Sequence, residues 1–396
     1  MINILKRAWL EIDLSKLEKN LEILSSLLLP ENKHQIACVI KANAYGHDDK
    51  SIACHLEKLG VVFFAVSNIK EAINLRKYGI KGEILILGYT PSEYVDVLVE
   101  NNIIQTIVSE SHAISIAECA QKKGIRVKVH VALDTGMGRI GLDVIEENNC
   151  EKVAKVLLNI SRMKGIELDG LFTHYAVADS EDISDIEYTD KQTRLFLDVC
   201  NKVKKYGVLL RHTHCLNSAG GIYHYSNYST LVRFGILLYG LKPNRNLIIP
   251  DGIEPIMEFK SVVSCVKQHK KGEFIGYGRK YCCERNMSVA TIPVGYADGY
   301  MRVLSSKANV LVNGMRTQIV GNICMDQLMI DVTTITNVKE GDIVTLIGRD
   351  GTECIYADEL AEQSNTINYE IVCGISKRVP RVIYEKGKIV DIIEYY

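Results

Sequence analysis

Between residues 36 and 240 the chain alternates two textures: short apolar or β-branched runs, and longer stretches whose apolar positions recur with helical spacing. The short runs are IACVIK (36–41), VFFAVS (62–67), EILILG (83–88) and IIQTIVS (103–109), followed by IRVKVHVALD (125–134), ELDGLFTH (167–174), RHTHCLN (211–217) and LVRFGILLYG (231–240). Runs of this length and composition predict buried strands. Between most of them lie helical patterns such as SNIKEAINLRKYG (67–79) and TDKQTRLFLDVCNKVKKYG (189–207), each closed by the glycine that commonly ends a helix. Strands alternating with helices predict parallel βαβ units. Eight such strands predict an α/β fold built on a closed (β/α)8 TIM-type barrel rather than an open sheet.

After Gly240 the pattern changes. The segment LKPNRNLIIPDGIEPIM holds three of the chain's seven prolines, as a domain connection should. Beyond it, strand-like runs follow one another with turns and little helix: FKSVVSCVK, MSVATIPVGY, ANVLVNG, RTQIVGNICM, LMIDVT and DIVTLIG. Asn313-Gly314 between two of these predicts a tight hairpin. The expected organisation is a barrel over 1–242 and a β-rich domain over 243–396, with the first dozen residues packing against the second domain.

Composition adds exclusions. A formal net charge of −1 offers no field for holding nucleic acid or an anionic membrane. The early apolar stretches are broken by Lys6, Arg7, Glu11 and Asp13, so neither a signal peptide nor a membrane span is expected. Twelve cysteines are scattered, without a C-x-x-C pair, and most lie in apolar runs, which points to buried thiols and a reducing cytoplasm.

In a barrel, chemistry sits at the C-terminal ends of the strands. The first strand ends in Lys41 and Tyr45, the fifth leads to Arg139 in a glycine-rich loop, and the sixth ends in His174. The seventh reaches Ser218 in CLNSAGG, and the eighth carries Arg233 before Gly235. Singly, each has an ordinary reading: a solvated cation, a core histidine, a helix cap. Arg233 resists it most, because an unpaired guanidinium inside an apolar run is costly. All lie at one end of the predicted barrel, where independent structural roles would scatter. A lysine that can form a Schiff base and a serine beside glycine amides that can hold a dianionic phosphate match pyridoxal 5′-phosphate.

The stretches RAWLEIDLSKLEKNLEIL, VIKANAYGH, LDTGMGRIG, FTHYAVAD, LNSAGG, VRFGILLYGL, GYGRKY, IPVGYADGY, VGNICMDQLMIDV and TINYEIVCGISKRVPR resemble, in order and spacing from about residue 7 to 385, the alanine racemase family. The resemblance implies a barrel followed by a β-domain, a pyridoxal-phosphate cofactor, and a homodimer with shared active sites acting on a small amino acid. It implies Lys41 as the lysine bound to the cofactor and the base on one face of the substrate, and Tyr277, from the partner chain, as the base on the other. Tyr45, Ser218, Tyr369 and the backbone at Gly235 and Ile236 would hold the phosphate. Arg233 would face the pyridine nitrogen, and His174 would connect it towards Tyr277. Arg139 and the Met325 amide would meet the substrate carboxylate, with Tyr296 lining the way in. A cytoplasmic role in D-alanine biosynthesis, for peptidoglycan precursors, accompanies the family.

One position departs from the pattern. Many family members carry a carbamylated lysine two residues before the Asp of DTGMGR, and here that position is Ala132. The change widens the expected choice of substrate, so a racemase for serine or another small amino acid stands as the alternative. A decarboxylase of related architecture would pair the pyridine nitrogen with a carboxylate, which Arg233 opposes. A non-catalytic pyridoxal-phosphate carrier would leave the β-domain unexplained.

Overall fold

The computed structural model describes residues 7–28, 36–224 and 229–395. Eight parallel strands, Ile36–Val39, Phe63–Val66, Glu83–Ile86, Ile103–Ile107, Val127–Asp134, Ile166–Phe172, His212–His214 and Val232–Phe234, pair in sequence order, and the last returns to the first. Seventh and eighth strands meet through two backbone bonds, Thr230 N–H to Thr213 O at 2.8 Å and Arg233 N–H to Leu216 O at 3.0 Å. The barrel is therefore nearly closed. Each expected strand is present, and most end before their apolar runs do. The leftover residues, Lys41, Gly88, His174 and Asn217 among them, form the loops above the C-terminal rim.

The helices follow local chemistry. Asn68 caps Ile69–Lys77 by accepting from the Lys70 and Glu71 amides, and Gly79 beyond its end sits at φ 92°. The helix expected at 189–207 begins earlier, spanning Ile183–Lys205, because the Asp182 side chain accepts from the Ser184 amide and starts it there.

The second domain holds a sheet in the spatial order Met315–Gln318, Asn309–Val312, Ile343–Asp350, Met257–Val262, Ala8–Asp13, Arg381–Glu385, Lys388–Ile393. Ala8–Asp13 lies inside this sheet, antiparallel to Met257–Val262 and parallel to Arg381–Glu385. A smaller sheet joins Cys265–His269, Met287–Ile292 and Leu328–Asp331. The predicted hairpin pairs Val312 with Met315, and Asn313 and Gly314 take φ of 51° and 72°, the two positive values that such a turn requires. One apolar core runs through both domains, from Val39 and Phe64 in the barrel to Phe259 and Ile383 in the sheet. All twelve cysteines are free thiols. Among the described residues no helix is long and apolar enough to cross a membrane.

Candidate active site

The first barrel strand does not end in an ordinary loop. Ala42, Asn43, Ala44 and Tyr45 all have φ between 53° and 56°, a full left-handed turn made without glycine. Left-handed backbone costs roughly 1–2 kcal/mol for each non-glycine residue, so the turn persists only because its surroundings dictate it. Glu71 accepts from the Ala42 amide at 2.9 Å and, with its other oxygen, from the Ser67 amide at 2.7 Å. Asn43 is held by Tyr395 Oη at 2.9 Å. The wholly buried Arg381 donates from Nε to Gly46 O at 3.1 Å and from its remaining nitrogens to Ile375, Ser376 and Val379 carbonyls. Gly46 itself lies where a Cβ would stand 2.3 Å from Val372 O, so the second domain packs directly on the turn.

The turn carries Lys41 and Tyr45 into a cavity of about 690 Å³ at the barrel mouth. Arg139, His174, Ser218, Arg233, Gly235, Ile236 and Tyr369 share its walls, so nine of the twelve residues expected at the site converge there. Ala132, at the end of the fifth strand, lines it too. At one side Ser218 Oγ accepts from the Gly235 amide at 2.9 Å, and a Cβ at Gly235 would come within 2.5 Å of Tyr45 Oη. This is a cradle of hydroxyls and amides that any side chain at 235 would fill, and it suits a phosphate.

Arg233 is 4% exposed and has no carboxylate in reach among the described residues. It donates to Thr173 O at 2.9 Å and Cys215 O at 3.2 Å, contacts His174 Nδ1 at 3.3 Å, and stacks over Phe172 at 5.5 Å. Burial lowers its pKa to about 10. Its Nη1 lies 2.7 Å from His214 Nδ1, and because arginine only donates, that nitrogen must be the acceptor. The His214 proton is then on Nε2, 3.0 Å from His130 Nδ1, and the His130 proton on Nε2, 3.2 Å from Asp169. One directional chain therefore links Arg233 to a carboxylate on the far side of the barrel. Burial, then Arg233, holds His214 well below the usual imidazole range. Burial also works against the Asp169 carboxylate, but hydrogen bonds from His130 and Arg211 outweigh it and hold the group ionised. The sequence reading missed this chain. HTH and the His130 position were its only signals, hidden in strands that are apolar around them.

Two other groups are tuned. Burial lowers the Lys41 pKa, assisted by the Arg139 and Arg233 guanidinium groups. Burial, then Arg233, Arg139 and Lys41, brings His174 down to about 3, so its imidazole is neutral. A lysine more easily deprotonated, beside a phosphate cradle and a buried arginine, fits pyridoxal 5′-phosphate.

Tyr277, Tyr296 and Met325 do not line this cavity in a single chain. They lie together on the second domain, where Asn322 Nδ2 donates to Tyr277 O at 2.9 Å and the Tyr296 amide donates to Cys324 O at 3.0 Å. All three are exposed, at 73%, 42% and 54%.

The family models described as alanine racemase N-terminal domain and alanine racemase C-terminal domain match residues 12–243 and 256–383. Alanine racemase 1 of Clostridium acetobutylicum is 39% identical, with all of both chains covered. The alanine racemase of Desulfovibrio desulfuricans is 41% identical over 97% of this chain and 100% of its own. Among solved structures, alanine racemase of Clostridium difficile 630 superposes with a TM-score of 0.91 at 37% identity, covering 99% of this chain and 100% of that one. A histidine racemase from Leuconostoc mesenteroides is more distant, at 28% identity and a TM-score of 0.85 over 96% of this chain and 99% of that one. With both domains matched in order and relatives aligned end to end, this chain belongs to the alanine racemase family of pyridoxal-phosphate-dependent isomerases.

Proposed function

We propose that the barrel-mouth cavity holds pyridoxal 5′-phosphate and interconverts L- and D-alanine, with Lys41 and Tyr277 of a second copy as bases on opposite faces of the substrate. The observation that carries the reading is Arg233, a buried guanidinium without a carboxylate partner among the described residues, at the wall shared with Lys41. When bound, the cofactor supplies an aldehyde that links to amines and a ring that accepts electron density from Cα. Tyr45, Ser218, Tyr369 and the amides at Gly235 and Ile236 hold its phosphate. Arg233 would stand opposite the ring nitrogen of the cofactor, and because a guanidinium does not readily give up a proton it would leave that nitrogen unprotonated, which would favour proton return over transamination. Lys41, with its lowered pKa, accepts a proton from one face. Arg139 and the Met325 amide orient the substrate carboxylate, and Tyr296 narrows the way in.

Tyr277, Tyr296 and Met325 reach the cavity only from another chain. A cluster of large exposed side chains on the second domain supports such an interface. In a two-fold homodimer each chain then completes its partner's site. His174, beside Arg233, forms the bridge from that side towards Tyr277. Free thiols throughout and no membrane-crossing helix among the described residues support a cytoplasmic enzyme.

Proton NMR of the cofactor-loaded protein in heavy water, with chiral analysis, tests the reading on L-alanine and L-serine. We expect α-proton exchange and D-isomer formation, faster with alanine. Lys41→Ala should abolish both, whereas Tyr277→Phe should preserve exchange in one enantiomer only. Bound cofactor with neither exchange nor inversion on either amino acid rejects the reading.

A further inference from the structure

Arg233 stands at the wall of the barrel-mouth cavity, yet its shortest hydrogen bond leads away from that cavity, into the chain of His214, His130 and Asp169. The two imidazoles are wholly buried and tightly seated. Phe172 stacks on His214, centroids 5.1 Å apart and planes 9° from parallel, which fixes the plane of that ring. A Cβ at Gly170 would stand 2.8 Å from His130 Nε2, so the glycine makes room for the second ring.

Each end of the chain sets its direction independently. Arg233 can only donate, so His214 Nδ1, 2.7 Å from Nη1, accepts. At the other end Arg211 donates to the two Asp169 oxygens, at 3.0 Å each, and pairs with Glu83 beyond them. The carboxylate therefore stays ionised and can only accept. His130 Nε2, 3.2 Å away, must carry a proton, which leaves its Nδ1 to accept from His214 Nε2 at 3.0 Å. Both ends thus demand the same arrangement: two neutral rings, each protonated on Nε2. Burial supports it by holding both imidazoles below their ordinary range.

The reverse arrangement shows what the carboxylate prevents. With both rings protonated on Nδ1, His214 would turn an N–H against the Arg233 N–H at 2.7 Å. That contact is relieved if the guanidinium gives up a proton on its cavity side and accepts from His214 instead. Arg211 offsets much of the Asp169 charge, so the carboxylate transmits the direction of the bonds rather than a field.

We propose, resting on the cofactor reading above, that Asp169 is a positioning residue for the cofactor ring. Through His130 and His214 it fixes Arg233 as a donor on its inner side, so that the guanidinium keeps its protons and the ring nitrogen receives none. Asp169 does this without touching cofactor or substrate.

Two measurements on the full-length, cofactor-loaded protein test this. Nitrogen-15 NMR with labelled histidine should show the rings of His130 and His214 neutral and protonated on Nε2. A charged ring, or one protonated on Nδ1, at either position overturns the proposal, and this needs no variant to fold. The second measurement uses cofactor labelled at its ring nitrogen and compares the unaltered protein with Asp169→Asn, which removes the carboxylate at nearly constant size. The ring-nitrogen signal should move towards the protonated form. With alanine as substrate, the share of turnovers in which the cofactor keeps the amino group and the carbon skeleton leaves as its 2-keto acid should rise about tenfold or more, the equivalent of one charge-assisted hydrogen bond. Asp169→Glu should restore the unaltered signal, and Phe259→Ala, a costly core substitution elsewhere, should leave it unmoved. An unmoved ring signal in Asp169→Asn overturns the proposal and leaves the cofactor reading standing. A ring nitrogen already protonated in the unaltered protein overturns both.

Discussion

At the scale of single residues, the departure that bears most on specificity is Ala132. It is 2% exposed and shares the cavity with Arg139, which is itself exposed to solvent. Relatives that carry a carbamylated lysine here place a negative charge against the arginine; this chain has a methyl group. A guanidinium without that charge is held less firmly, and its hold on a substrate carboxylate loses orientation. Ala132→Lys assayed with added bicarbonate should therefore raise kcat/KM for alanine relative to serine by about tenfold, or ~1.4 kcal/mol. Without carbamylation the new ammonium would face Lys41, Arg139 and Arg233 and depress activity, so the response to bicarbonate is the measurement. Unchanged kinetics and preference in both conditions would remove Ala132 from any account of specificity. Single residues were legible in the sequence where their chemistry clashed with their surroundings. Lys41 ends a buried strand and Arg233 sits within one. His130, His214 and Asp169 were not legible, because strands buried on both faces show no alternation from which an inward polar residue stands out.

At the scale of elements, the left-handed turn Ala42–Tyr45 is the feature that local sequence least foretells. Alanine is the best right-handed helix former, and neither Asn43 nor Tyr45 compensates for two of them. The conformation is imposed from the second domain, chiefly by Arg381, 335 residues away from the Gly46 carbonyl it binds. Strands and helices, set by short-range periodicity, were legible almost throughout; this turn was not, because its cause is tertiary. Arg381→Met keeps the apolar stem and leaves the Gly46, Ile375 and Val379 carbonyls without this donor, Ser376 O keeping the Val379 amide at 3.1 Å, in a region that is largely buried. We expect a loss of about 3–5 kcal/mol in urea unfolding, given ~1–3 kcal/mol for each buried group left unpaired and partial recovery by water. The turn should also relax, so cofactor release should accelerate well beyond what a core substitution of equal cost elsewhere, such as Phe259→Ala, produces. Arg381→Lys should rescue neither, since one ammonium cannot reach acceptors arrayed around a planar fork. Equal cofactor release from the Arg381 and Phe259 variants would make the arginine a stabilising residue alone.

At the scale of the whole molecule, the two domains are one folding unit, because the strand Ala8–Asp13 precedes the barrel yet completes the sheet of the other domain. The histidines buried inside this unit make its stability depend on pH in a window that few other groups share. His47 is lowered to about 4, His174 to about 3, and His214 falls well below the usual value, each by burial first. Unfolded imidazoles take up protons below about pH 6.5 while these three remain neutral in the fold. The unfolded chain then binds more protons, and stability falls as pH drops from 6.5 towards 4. Asp49, raised to about 6 by burial and by Asp48, opposes one of the three, because the folded state binds its proton first. Glu83, lowered to about 2 by hydrogen bonds from His212 and Arg211 that outweigh its burial, contributes only below the ordinary carboxylate range. His55, His112, His130 and His224 are also lowered, each by burial first, and act in the same direction as the three. The net excess is therefore at least about two protons and the slope about 3 kcal/mol per pH unit or steeper between pH 6.5 and 5, comparable over that interval with much of a domain's total stability. Urea unfolding of the cofactor-free chain at half-unit steps measures this slope. His47→Asn should reduce it by about 1.4 kcal/mol per unit. An unchanged slope in that variant would mean that His47 takes up its proton in the folded protein as readily as in the unfolded chain, against the direction its burial dictates.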